Sequence, residues 1–124
     1  MKPIETSSSQ VDSQLWSQLQ NGSEWALGRL VKKYFNPLQN YGCKFVQSED
    51  FVKDCVQEVF IEVWQRRERL STPVSVRAYL LSSVRKKVLR EGFRQRILKD
   101  EQHEIDTILD WHSQELPHEW AIIE

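Results

Sequence analysis

Asp54, Gln57 and Glu58 stand at helical spacing and, with Gln65, surround two apolar side chains, Ile61 and Trp64. At about 100° per residue, these six fall across one arc of a helix. Val52, Cys55, Val56, Val59, Phe60 and Val63 fall on the other arc, the stripe such a helix buries in its own domain. Apolar groups ringed by carboxylates and amides suit docking, with a desolvated centre and a polar rim that steers a basic partner. The plainer alternative is a stray exposed Ile beside a core Trp, since single exposed apolar residues are common. Glu58 and Glu62 share a helix surface, yet a carboxylate pair without a pocket is no acid–base site.

A second set of residues points to polyanion chemistry. Between Arg66 and Lys99 the chain carries eleven Lys or Arg against Glu68 and Glu91, a net of plus nine. From Asp100 to Glu124 it carries eight acidic residues and no Lys or Arg. The overall net charge of −1 hides this division. A concentrated basic block inside a folded segment suggests nucleic acid, bound through phosphate neutralisation and counterion release. Taking residues 77–96 as one helix, Leu80, Leu81, Val84 and Val88 form an inward stripe. Ser83, Lys86, Lys87, Arg90 and Arg94 gather on the far side, flanked by Leu89 and Phe93. Lys and Arg hold phosphates while flat groups stack on bases. The alternative is an ordinary solvated face, but such faces mix signs to form i, i+4 pairs, and this one barely does.

The elements that must position both sets read as helices. Apolar periods are helical nearly throughout and no alternating strand stands out, so the fold class is all-α, a compact bundle of about four helices. Residues 1–12, with three consecutive serines, read as a disordered lead, residues 13–98 as the helical domain and residues 99–124 as an acidic tail. Asp12 or Ser13 is expected to cap a helix ending at Gln20, before Asn21-Gly22. Ser23 caps the second helix, in which Asn36-Pro37 is expected to force a kink or interruption before the apolar pattern resumes from Leu38 to Val46. Ser48 caps the third helix, expected to end near Leu70. Ser75 caps the basic helix, with Gly92 a weak spot that could end it early. Cys43 and Cys55 fall on apolar faces as small hydrophobes, and no disulfide framework is indicated. Without a signal-peptide core or a bilayer-length apolar run, the expectation is a soluble cytoplasmic protein. His103, His112 and His118 are widely spaced in the acidic tail, and no phosphate loop or nucleophile elbow is present. No catalytic residue, metal site or cofactor is expected.

The order of these parts resembles region two of bacterial extracytoplasmic-function sigma factors. The resemblance rests on the apolar helix pair around Asn36-Pro37, the run Asp54-Cys55-Val56-Gln57-Glu58-Val59-Phe60 with Trp64, a Pro-containing loop, and Arg77-Ala78-Tyr79-Leu80-Leu81 entering a basic helix. It implies that the Asp54 helix docks on the clamp coiled coil of the RNA polymerase beta-prime subunit, through Asp54, Gln57, Glu58, Ile61 and Trp64. It further implies that the loop around Ser71 and Thr72 receives a base flipped from the minus-ten promoter element. The helix carrying Arg77, Tyr79, Ser83, Lys86, Lys87, Arg90 and Arg94 would then contact and open that element. Tyr79 is open to two roles, base stacking or core. An anti-sigma factor is a further candidate partner, and no enzymatic activity is implied.

Two kinds of departure qualify the resemblance. Lys87 and Glu91 stand where relatives usually carry Asn and Asp, and Gly92 follows, so base preference does not transfer there. Region four, the second DNA-binding domain, has no room after Lys99, which suggests either truncation or a reduced member. The tail, with Ile105, Ile108, Leu109, Trp111, Leu116 and Trp120, matches the interdomain linker in position or could fold back over the basic helix as a DNA mimic. Two rival functions remain open: a nucleic-acid-binding regulator acting without polymerase, and a helical protein-interaction module.

Overall fold

The computed structural model describes residues 7–99. Four helices follow one another: α1 (Ser8–Gln20), α2 (Glu24–Gly42), α3 (Glu49–Gln65) and α4 (Val76–Gln95). This is the expected all-α bundle. Each helix begins on a serine that supplies a hydroxyl to an otherwise unbonded backbone N–H. The Gln10, Ala26, Phe51 and Ala78 amides donate to Ser7, Ser23, Ser48 and Ser75 at 3.2, 3.1, 3.2 and 3.1 Å.

Three of those caps match expectation and the first does not. Residues 8–12, expected in a disordered lead, already belong to α1, and Asp12 and Ser13 lie inside it. Ser7 and Gln10 form a reciprocal capping box, since the Ser7 amide also donates to Gln10 Oε1 at 3.0 Å. Asp12 is instead a core residue, only 2 % exposed. Lys33 Nζ donates to its Oδ1 at 2.7 Å and the Tyr34 hydroxyl donates to Oδ2. Burial first, and then the hydrogen bond to Asp12, raise the Tyr34 phenol well above its ordinary value, so it stays a donor.

α2 also departs from expectation, running through Pro37 to Gly42 without interruption. Proline removes one helical hydrogen bond. Leu30, Tyr34 and Leu38, buried on both sides of it, keep the two halves on one core face. α3 ends at Gln65 rather than near Leu70. The next residues turn back, with the Leu70 amide donating to Arg66 O at 3.1 Å and the Leu70 side chain buried. Gln20 secures this turn from α1, its Nε2 donating to Arg67 O at 3.1 Å and Leu70 O at 2.6 Å.

α4 does not stop at Gly92. A β-carbon there would lie 2.6 Å from Leu98 Cδ2 and 3.2 Å from Val46 Cγ1, so glycine lets the returning chain pass close to the helix. Arg96 makes that return by adopting left-handed backbone, φ 58°. Val46 and Leu98 then form an isolated antiparallel bridge. The core joins Trp16 and Leu19 of α1, Leu30 and Leu38 of α2, the full expected stripe of α3, and Leu80, Val84 and Val88 of α4. Both cysteines are free thiols, Cys55 buried and Cys43 half-buried. No helix among the described residues is long and apolar enough to cross a membrane.

Asp12→Ala is expected to lower unfolding stability by about 1–3 kcal/mol, because it leaves the buried Tyr34 hydroxyl without its acceptor. Urea denaturation measures this. A loss below about 0.5 kcal/mol would mean that the Asp12 acceptor contributes little.

Candidate nucleic-acid and partner-docking faces

The α3 stripe fixes how the helix is rotated, and with it what the helix shows to solvent. Val52, Val56, Val59 and Val63 are each at most 3 % exposed, whereas Ile61 is 53 % exposed. Asp54, Gln57 and Glu58 are exposed around it, so four of the five residues assigned to the polymerase face share an open surface. Trp64 is half-buried at its margin. The Arg67 guanidinium lies 4.0 Å above the Trp64 ring centre and its Nη1 donates to Trp64 O at 2.8 Å. A cation–π contact of this kind contributes about 0.5–1 kcal/mol at an exposed site. It also makes one end of the acidic rim cationic.

Contacts between α3 and α4 set their relative direction. Lys87 Nζ donates to Glu62 Oε2 at 2.5 Å and to Glu58 Oε1 at 3.4 Å. Earlier on α4, Tyr79 lies near Arg66 and Glu62; further along, Glu91 lies near Cys55. The two helices are therefore antiparallel. Burial opposes the charge on Lys87, but the hydrogen bond and charge of Glu62, followed by those of Glu58, outweigh it and raise the ammonium above its ordinary value. Lys87 thus leans onto α3, away from the outer basic face where the sequence reading placed it. That reading put Lys87 on the far side because rotation alone does not reveal which neighbour covers the border of a helix face.

Lys86, Arg90 and Arg94 are exposed together on the outer arc of α4, as expected. Arg94 makes a 3.3 Å surface pair with Glu91, which is weak in water. Ser83 is half-buried, and its hydroxyl donates to Tyr79 O at 2.9 Å, so its proton is engaged by the helix itself. Arg77 is exposed, but it lies near Tyr34 of α2, about 13 Å along the helix from Lys86 by the rise per residue. It does not join the Lys86 group. In the preceding loop Ser71 is half-buried, Thr72 exposed and Val74 84 % exposed.

Tyr79 requires correction as a DNA-stacking residue. It is 4 % exposed and meets Trp16 edge to face, ring centroids 5.2 Å apart at 79°. Burial pushes its phenol up to about 12. Its place is settled by α1, which packs across the first turns of α4 and which helical periodicity within α4 cannot locate.

Other residues acquire roles that the sequence reading did not assign. Asp12 follows the apolar spacing of Leu15, Trp16 and Leu19, a signal that it faces inward. Arg66, counted there only as one cation of the block, terminates α3 beside α4. Among the described residues no cluster of His, Cys, Asp and Glu is arranged to hold a metal ion. His103, His112 and His118, together with the suggested fold-back of the acidic tail, lie outside the described residues.

Comparison with known proteins adds one finding. Residues 30–96, more than half of the chain, match the family model for Sigma-70 region 2. The match spans most of α2 and all of α3 and α4, with α1 outside it. No curated protein and no solved structure matches the chain. Region 2 is a non-enzymatic transcription-factor domain, in keeping with the all-helical body. The chain belongs to the Sigma-70 region 2 family, the sigma factors that act in transcription initiation.

Proposed function

We propose that this protein is a cytoplasmic initiation factor of the extracytoplasmic-function type that binds core RNA polymerase through α3 and the minus-ten promoter element through α4 and the loop before it. The observation that carries this reading is the separation of two faces on one packed body. Ile61 stands 53 % exposed among Asp54, Gln57 and Glu58, while Lys86, Arg90 and Arg94 are exposed on another helix.

On α3, the carboxylates steer a basic coiled coil, and Ile61, with half-buried Trp64 at its margin, supplies the desolvated centre. The beta-prime clamp coiled coil is the partner this face takes. On α4, the cations hold the backbone of a melted strand. The loop at Ser71 and Thr72, with Val74 at its surface, offers a place for an unstacked base. Flipping a base costs a few kcal/mol. Stacking returns about 1–3 kcal/mol per base and phosphate contacts add to it. An anti-sigma factor would act by covering either face. The helical domain is the functional unit of this reading.

Ile61→Glu and Glu58→Arg are each expected to weaken association with a clamp coiled-coil fragment at least about tenfold, equivalent to about 1.4 kcal/mol. Isothermal titration measures this, with circular dichroism confirming the fold. Unchanged affinity in both variants would remove the α3 assignment. Affinity for single-stranded promoter DNA is expected to fall with salt at a log–log slope of at least about −2, given about −0.7 per phosphate contact and the three cations Lys86, Arg90 and Arg94 on the outer arc of α4. A slope near zero would favour a protein-interaction module without DNA recognition.

A further inference from the structure

The antiparallel register of α3 and α4 places one more cation at the basic face. Glu62 meets Lys87. One turn further along α3 is Arg66, and one turn back along α4 is Ser83, with Lys86 close by on the same outer arc. The Arg66 backbone closes α3, its amide donating to Glu62 O at 3.0 Å, so the side chain springs from a fixed point at the helix end.

We propose that Arg66, Lys86 and Arg90 form a phosphate clasp built across two helices, in which Arg66 is a nucleic-acid contact equal in weight to those of α4. This rests on the reading of α4 as the DNA face and adds α3 to it. None of the three has a carboxylate partner among the described residues. Lys33, Lys87 and Arg94, by contrast, are each paired. Burial first, followed by the charges of Arg90 and Arg66, lowers the Lys86 ammonium below its ordinary value. Lys86 lies in the field of both Arg66 and Arg90, and a chain of anions that reaches all three relieves that repulsion. A sugar–phosphate backbone meets that need because it supplies charges in series, and positions rather than reads the strand. Lys87 stands outside the clasp, held by α3.

The test is fluorescence anisotropy of a labelled single-stranded oligonucleotide with the full chain, titrated at several salt concentrations. Arg66→Gln is expected to flatten the log–log slope by about 0.7, the share of one phosphate contact on a single strand. Arg90→Gln should do the same. Arg66→Lys should keep the wild-type slope, and Lys53→Gln, an exposed cation elsewhere on α3, should leave it unchanged. Thermal melts establish that each variant is folded. If Arg90→Gln flattens the slope and Arg66→Gln does not, the clasp is wrong while the α4 reading stands. If neither does, the α4 reading falls as well. An equal loss in Lys53→Gln would trace the effect to overall charge and overturn the clasp.

Discussion

The desolvation of one valine-rich stripe on α3 governs the whole arrangement. Val52, Val56, Val59 and Val63, with Cys55 and Phe60, are removed from water against α2 and α4. Burying each large apolar side chain contributes about 1.5–3 kcal/mol, so rotating α3 to hide Ile61 would expose more than it buries. The exposed isoleucine is therefore a consequence of packing elsewhere on the same helix. The same burial sets the distance and direction of α4, which determines which of its cations meet solvent and which meet Glu58 and Glu62.

The polar contacts refine this frame in two ways. Lys87 bridges the helices, taking up carboxylate charge between the acidic and basic faces. Asp12 binds α1 to α2 inside the core, where an unpaired carboxylate would be costly. The two pairs differ in kind. Lys87 sits at a partly solvated margin, and its pairing is screened. Asp12 is nearly dry, so its hydrogen bonds are obligatory.

Much of this was legible in the sequence because helical periodicity reports directly on burial. The α3 stripe, the serines that cap α2, α3 and α4, and the exposure of Ile61, Lys86, Arg90 and Arg94 all follow from residue type at 100° intervals. What escaped depends on neighbours. Tyr79 turns inward because Trp16 lies against it, and Lys87 turns sideways because Glu62 does. Pro37 failed to break α2 because the apolar residues before and after it share one core face, a tertiary effect that outweighs a local penalty. The start of α1 was missed for another reason. Three serines suggested disorder, although Ser7 and Gln10 have the spacing of a capping box.

The grip of Gln20 on the turn after α3 has a consequence for recognition. One amide group satisfies two carbonyls, those of Arg67 and Leu70, and Leu70 is itself anchored in the core. The connection that leads to Ser71 and Thr72 thus leaves the bundle from a rigid abutment. Its conformational entropy is surrendered when the chain folds, so a strand docking there in the proposed function would meet a preorganised edge and lose less of its binding free energy to ordering the protein.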